Sequence, residues 1–184
     1  LTEADYEPVM AFLDQPQSIH VLLHPLPVLG LAVAVIGLVL GLIFKSKGGI
    51  SISLCLIALT AASAFLVFQS GEKTEHLLEE SFDQETSGWV HEHEQRAETA
   101  IYLFYVTAFV AIVALVIRPV IPGFARGATW AALALACLCI LAGAWIGYAG
   151  GRIAHPALRD GPPPAVPAEP AEPVVEETSA SDPV

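Results

Sequence analysis

Histidine is the residue type in this sequence with the clearest capacity for cofactor chemistry. Imidazole ligates zinc, copper, iron and haem iron, and nearby carboxylates support such ligands. The chain of 184 residues has six histidines. All of them lie outside the four longest apolar segments, at ends that an antiparallel bundle brings to one side: His20, His24, His76, His91, His93 and His155.

Two kinds of site follow from these positions. Haem b would be held by two histidines from different helices, and we predict His93 and His155, with Glu98 and Tyr102 as supporting groups. For a transition metal, the further candidate ligands are His91, His76, Glu72, His24 and His20. A covalently attached c-type haem is not expected, because the sequence has no Cys-x-x-Cys-His motif.

The pair His20 and His24 has the i, i+4 spacing that lets two imidazoles share a metal ion on one helix. Pro25 follows directly, and the residue before a proline is biased away from helical conformation. We therefore expect His24 to leave the helix, which would separate the pair.

Four apolar segments can position these histidines. Residues 26–44, 50–68, 100–117 and 128–150 contain no Asp, Glu, Lys or Arg, and about 20 apolar helical residues cross the hydrocarbon core of a bilayer. We predict an all-α fold, a four-helix transmembrane bundle surrounded by lipid. Spans two and three are expected to continue as helices beyond the membrane, the third starting at Gly88 with Ser87 as its N-cap.

Gly37 and Gly41, four residues apart, indicate close helix packing within one bundle or in a homo-oligomer.

The distribution of charge predicts the orientation of the bundle. The loops after spans one and three carry Lys45, Lys47, Arg118 and Arg126, whereas all 19 Asp and Glu residues lie elsewhere. The positive-inside rule places these loops in the cytoplasm, and both termini and the histidines on the non-cytoplasmic side. The net charge of −11 argues against nucleic acid as a partner.

The chain divides into an outer segment 1–25, a membrane domain 26–157 and a tail 158–184. The tail is rich in Pro, Ala and Glu, and is expected to be disordered because it cannot bury a core. The first residues are acidic, with Glu3, Asp5 and Glu7, and do not have the basic start of a cleavable signal peptide.

Short motifs along the chain resemble an uncharacterised bacterial family of four-span membrane proteins, over residues 20–157. They are His-Val-Leu-Leu-His-Pro-Leu-Pro at 20–27, Gly71-Glu72, Trp89 with His93, Arg96-Ala97-Glu98, Tyr102, Phe104-Tyr105, Tyr-Ala-Gly-Gly-Arg-Ile at 148–153, and His155. The resemblance implies the bacterial inner membrane, with recurrent polar positions at His93, Glu98, Glu72 and His155. Relatives can be fused to, or encoded with, Rieske iron–sulfur or cytochrome c modules, which implies respiratory electron transfer and other redox proteins as partners.

Two functions are predicted on these grounds. The first is a non-catalytic accessory subunit of a redox complex, whose acidic outer surface steers a basic cytochrome. The alternative is a redox protein that binds haem b or a metal through the outer histidines. An enzyme or a transporter is disfavoured, because the spans contain no ionisable residue apart from Cys and Tyr and carry no catalytic motif.

Overall fold

The computed structural model describes residues 12, 14–78 and 81–166, and the described chain is all-α. The helices are α1 (Pro16–Leu23), α2 (Leu31–Ile43), α3 (Lys47–Leu78), α4 (Gln84–Ile117) and α5 (Pro122–Ala154). A π-helical turn (Leu26–Gly30) joins α1 to α2, and a 3-10 turn (Pro156–Leu158) follows α5. The expected outer segment before residue 12 and the expected disordered tail beyond residue 166 lie outside the described residues.

The prediction of four membrane-spanning helices is confirmed at the level of length and apolar character. Four helical stretches in the described chain are long and apolar enough to cross a bilayer: 17–43, 47–77, 84–117 and 122–154. The longest, α4, has 34 residues, or about 51 Å at 1.5 Å per residue. This length exceeds the thickness of a hydrocarbon core, about 30 Å, so α4 is longer than a crossing requires. Its four long apolar helices make the protein a multi-pass membrane protein.

The first span is longer than the sequence indicated, and the expectation that His24 leaves the helix is wrong. His24 has helical backbone angles (φ −49°, ψ −37°) and its amide donates to the His20 carbonyl over 2.8 Å. The π-helical turn accommodates Pro25 and Pro27, which lack amide hydrogens, and it restores bonding with Leu29 donating to the Pro25 carbonyl. Although α1 ends at Leu23, its C-cap His24 keeps helical backbone angles, so the rings of His20 and His24 stay close, with centres 5.8 Å apart.

Neighbouring helices pack in chain order, α2 on α3, α3 on α4 and α4 on α5, and α5 closes the bundle against α2. Small residues allow this closeness. A Cβ at Gly37 would lie 2.9 Å from the Ser53 hydroxyl, and one at Gly41 would lie 3.0 Å from the Ile50 amide nitrogen. These two glycines thus serve the contact between α2 and α3 within the chain, the first of the two roles considered from the sequence.

The fourth helix begins one turn earlier than predicted. Its N-cap is Asp83, not Ser87, and the Asp83 carboxylate accepts a hydrogen bond from the Thr86 amide over 2.8 Å. Hydrogen bonds from Thr86 lower the pKa of Asp83. Asp is as good an N-cap as Ser, and its charge also suits the helix N-terminus. As a result, His93 lies more than two turns inside α4, with helical residues both before and after it.

Candidate cofactor site

A cavity of about 590 Å³ lies at the end of the bundle where α3 ends and α4 begins. We call this end the histidine end. Its volume falls within the about 300–1,000 Å³ typical of small-molecule and cofactor sites. The walls come from α1, the π-helical turn, α3, α4 and α5, and three histidines line it: His20, His24 and His93.

His93 is fixed against the α5 wall of the cavity. Its Nδ1 lies 3.1 Å from the carbonyl oxygen of Ile146. Because a carbonyl only accepts hydrogen bonds, Nδ1 carries the hydrogen, and the neutral ring keeps its lone pair on Nε2. The ring can lie this close to the helix because residue 150 is glycine: a Cβ there would be 3.2 Å from the His93 ring.

His20 is fixed against the α3 wall by the same arrangement. Its Nδ1 lies 3.0 Å from the carbonyl oxygen of Val67, and a Cβ at Gly71 would be 3.0 Å from its ring. The Ser70 hydroxyl is also 3.4 Å from this nitrogen. In both walls, then, the ring bonds to a carbonyl and packs over the glycine four residues later, Val67 with Gly71 and Ile146 with Gly150.

This geometry is the one that metal-ligating histidines adopt. A ligating imidazole almost always donates its other N–H to a carbonyl, carboxylate or water, which fixes the tautomer and the ring plane. Here one such ring comes from each of two walls of a single cavity. Among the described residues, no group of three or more His, Cys, Asp and Glu side chains is arranged to hold a metal ion.

The remaining lining is apolar inside and acidic at its polar positions. Val67, Phe68, Ile101 and Phe104 are among the apolar lining residues, and Gly147 adds no side chain, since a Cβ there would meet nothing within 4 Å. The charged lining residues are all acids, Glu72, Glu75 and Glu94. In this described lining the propionates of a haem have no arginine or lysine partner.

The structure brings together only part of the residue set predicted for the site. His93, His20, His24 and Glu72 line the cavity, whereas His155 is exposed just after α5 and is not part of the lining. Other candidates also lie outside the lining: His76, Glu98 and Tyr102 are exposed, and the Nδ1 of His91 is 3.9 Å from a Glu94 carboxylate oxygen.

Sequence reasoning missed Glu94 and the two ring-supporting glycines, Gly71 and Gly150. Gly71 and Gly150 stand in the short motifs that carry the family resemblance, and both lie on long helices near histidine positions. A glycine inside a helix is costly unless another group approaches it closely. The presence of glycine at these helical positions could therefore have indicated that another side chain packs against the helix backbone there.

The chain matches no protein-family model, no curated protein and no solved structure. No family is thus identified for the chain, and the four long apolar helices support only its description as a four-span membrane protein.

Proposed function

We propose that this membrane protein binds haem b between His20 and His93 and carries electrons. One observation carries the proposal: two imidazoles on two walls of one cavity each have Nδ1 bonded to a backbone carbonyl, over 3.0 and 3.1 Å. That arrangement leaves the Nε2 lone pair of each ring available, so His20 and His93 would be the residues that hold the haem iron. Bundle cores are where helical proteins commonly build such sites, from side chains on facing helices.

The chemistry that haem supplies is the gain and loss of one electron at its iron. The protein groups set the conditions for that exchange. His20 and His93 would both hold the haem, which would favour electron transfer over binding of a small molecule at the iron. Val67, Phe68 and Phe104 keep the walls apolar, and an apolar shell around a redox centre tunes its potential.

The experiment is an absorption spectrum of the protein purified in mild detergent, oxidised and then reduced with dithionite, before and after titration with haemin. We expect a Soret band and a sharp α-band on reduction, both lost in His20→Ala and in His93→Ala. His76→Ala is the matched control, because His76 lies at the same end but is exposed and outside the cavity lining. A protein whose Soret and reduced α-bands after titration are those of free haemin in the same detergent overturns the proposal.

The outer location of this site is part of the proposal. The two short connections at the other end hold Lys45, Lys47, Arg118 and Arg126, which supports a cytoplasmic position for that end. Single cysteines at Ser46 and Ser81, in a background without the native cysteines, test it in intact cells. We expect a membrane-impermeant maleimide to label Ser81→Cys and not Ser46→Cys; the reverse pattern contradicts this orientation.

A second candidate role is that of an accessory subunit which presents an acidic surface to a basic redox partner. Three arginines at the histidine end are already paired within the chain, Arg96 and Arg152 with Glu92 and Arg159 with Glu85. Exposed acids such as Glu72 and Glu98 remain, and such a surface attracts basic proteins at long range. Association with cytochrome c that weakens as salt rises supports this role; salt-independent association, or none, contradicts it.

A further inference from the structure

A network of charged and aromatic side chains joins α4 to α5 beside the cavity. The Glu92 carboxylate accepts hydrogen bonds from Arg96 on its own helix and from Arg152 of α5, the latter over 2.9 Å. The guanidinium of Arg152 lies between two rings, 5.0 Å from the centre of Trp89 and 4.4 Å from that of Tyr148. The side chains of Glu92, Arg96 and Arg152 are only 13 to 19% exposed, so solvent screens these pairs less than ordinary surface pairs.

The same network contacts the stretch of α5 that holds His93. Arg96 donates from Nη1 to the carbonyl oxygen of Trp145 over 2.7 Å, and His93 donates to the next carbonyl, that of Ile146, over 3.1 Å. Both bonds link α4 to consecutive residues of α5. A shift of α4 along or around its axis would break the two bonds together.

We infer that Glu92, Arg96 and Arg152 are positioning residues for His93. They hold α4 in the axial and rotational register that keeps Nδ1 of His93 on the Ile146 carbonyl and presents Nε2 to the cavity. Planar guanidinium groups suit this task, because each can donate to two acceptors in fixed directions. The value of a presented Nε2 rests on the proposed haem function, but the positioning itself does not require any cofactor.

The test measures the tautomer of His93 in haem-free protein, by ¹⁵N NMR of histidine-labelled protein in detergent, with the signal assigned by its loss in His93→Gln. Wild type should show the Nδ1–H form alone. Glu92→Gln and Arg152→Met should lose that single form, with the Nε2–H tautomer appearing, and Arg152→Lys should restore it at least in part because the positive charge beside Glu92 remains. Glu85→Gln is the matched control, since Glu85 is an exposed residue of α4 whose ion pair, with Arg159, lies outside this network.

Retention of the Nδ1–H form alone in Glu92→Gln or in Arg152→Met overturns the inference, whether or not haem binds. Loss of that form in Glu85→Gln as well also overturns it, because the effect would then reflect general loosening of α4. Two variants on different helices guard against the misfolding of one. If wild type binds no haem while the tautomer behaves as expected, the proposed function fails and the positioning role stands.

Discussion

The Nδ1 of His93 lies 3.1 Å from the carbonyl oxygen of Ile146, a residue 53 positions away on the next helix. This bond decides which ring nitrogen is free for chemistry. It also explains a glycine inside α5, because the ring packs over Gly150 where a larger residue would press against it. His20 makes the equivalent bond to the Val67 carbonyl, over 3.0 Å. The cavity is therefore lined by two imidazoles whose Nδ1 atoms are bonded to backbone carbonyls.

The first prediction distinguishes haem binding by His20 and His93 from haem binding by His93 and His155. Haem iron needs both axial ligands for the low-spin spectrum of an electron carrier. We expect His20→Ala to lose that spectrum and His155→Ala to keep it, because His155 is exposed outside the cavity lining. The reduced α-band and the electron paramagnetic resonance spectrum of the oxidised protein measure the difference. If His155→Ala loses the α-band and His20→Ala retains it, the His20 assignment is wrong.

The second prediction concerns the glycines under the two rings. A methyl group at residue 150 would lie 3.2 Å from the His93 ring, and one at residue 71 would lie 3.0 Å from the His20 ring. Each ring must then move outward and stretch its bond to the carbonyl. We expect Gly150→Ala and Gly71→Ala each to weaken haem binding about tenfold, which corresponds to about 1.4 kcal/mol, as measured by haemin titration.

We expect only a small change in the stability of these alanine variants, since alanine favours a helix over glycine by up to about 1 kcal/mol and this gain offsets the cost of moving each ring. Gly127→Ala is the control for that general effect, because a Cβ at Gly127 on α5 meets nothing within 4 Å. Equal haem affinity in all three variants would show that neither ring depends on its glycine.

The third prediction concerns a substitution that fills the cavity without disturbing the helices. Gly147 lines the cavity, and a Cβ at that position meets nothing within 4 Å. We expect Gly147→Leu to fold with unchanged helix content and to lose most haem binding, because the leucine side chain takes space that the cofactor needs. Circular dichroism and haemin titration measure the two quantities, and Gly127→Leu is the matched control. Full haem binding by Gly147→Leu would place the cofactor elsewhere.

The four spans were accessible to sequence analysis because a helix in lipid must present an uninterrupted apolar stretch, and hydropathy reports that directly. The start of α4 was less accessible. Ser87 and Asp83 are both good N-caps, and the residue types alone do not say which one the chain uses. The structure selects Asp83 through its bond with the Thr86 amide.

The placement of His20 and His24 beside His93 in one cavity was not accessible from the sequence, for two physical reasons. First, the bias that Pro25 imposes on His24 is statistical, and a π-helical turn overcame it. Second, helical spacing orders residues on one helix but says nothing about which carbonyl of another helix a ring will meet. His20 was therefore ranked below His155, although His20 reaches Val67, a residue 47 positions away.

The last prediction uses the N-cap of α4, the helix that carries His93. Hydrogen bonds from Thr86 lower the pKa of Asp83, so its folded-state pKa lies below the unfolded value of about 3.9. The cap therefore stabilises the helix fully above that unfolded pKa and loses this contribution as pH falls through the lower, folded-state pKa. Asn caps as well but does not titrate there. Hydrogen exchange of the amides of residues 84–90, corrected for intrinsic rates, should rise below about pH 4 in wild type more steeply than in Asp83→Asn. Parallel curves for the two proteins would mean that the Asp83 charge does not contribute to holding the start of α4.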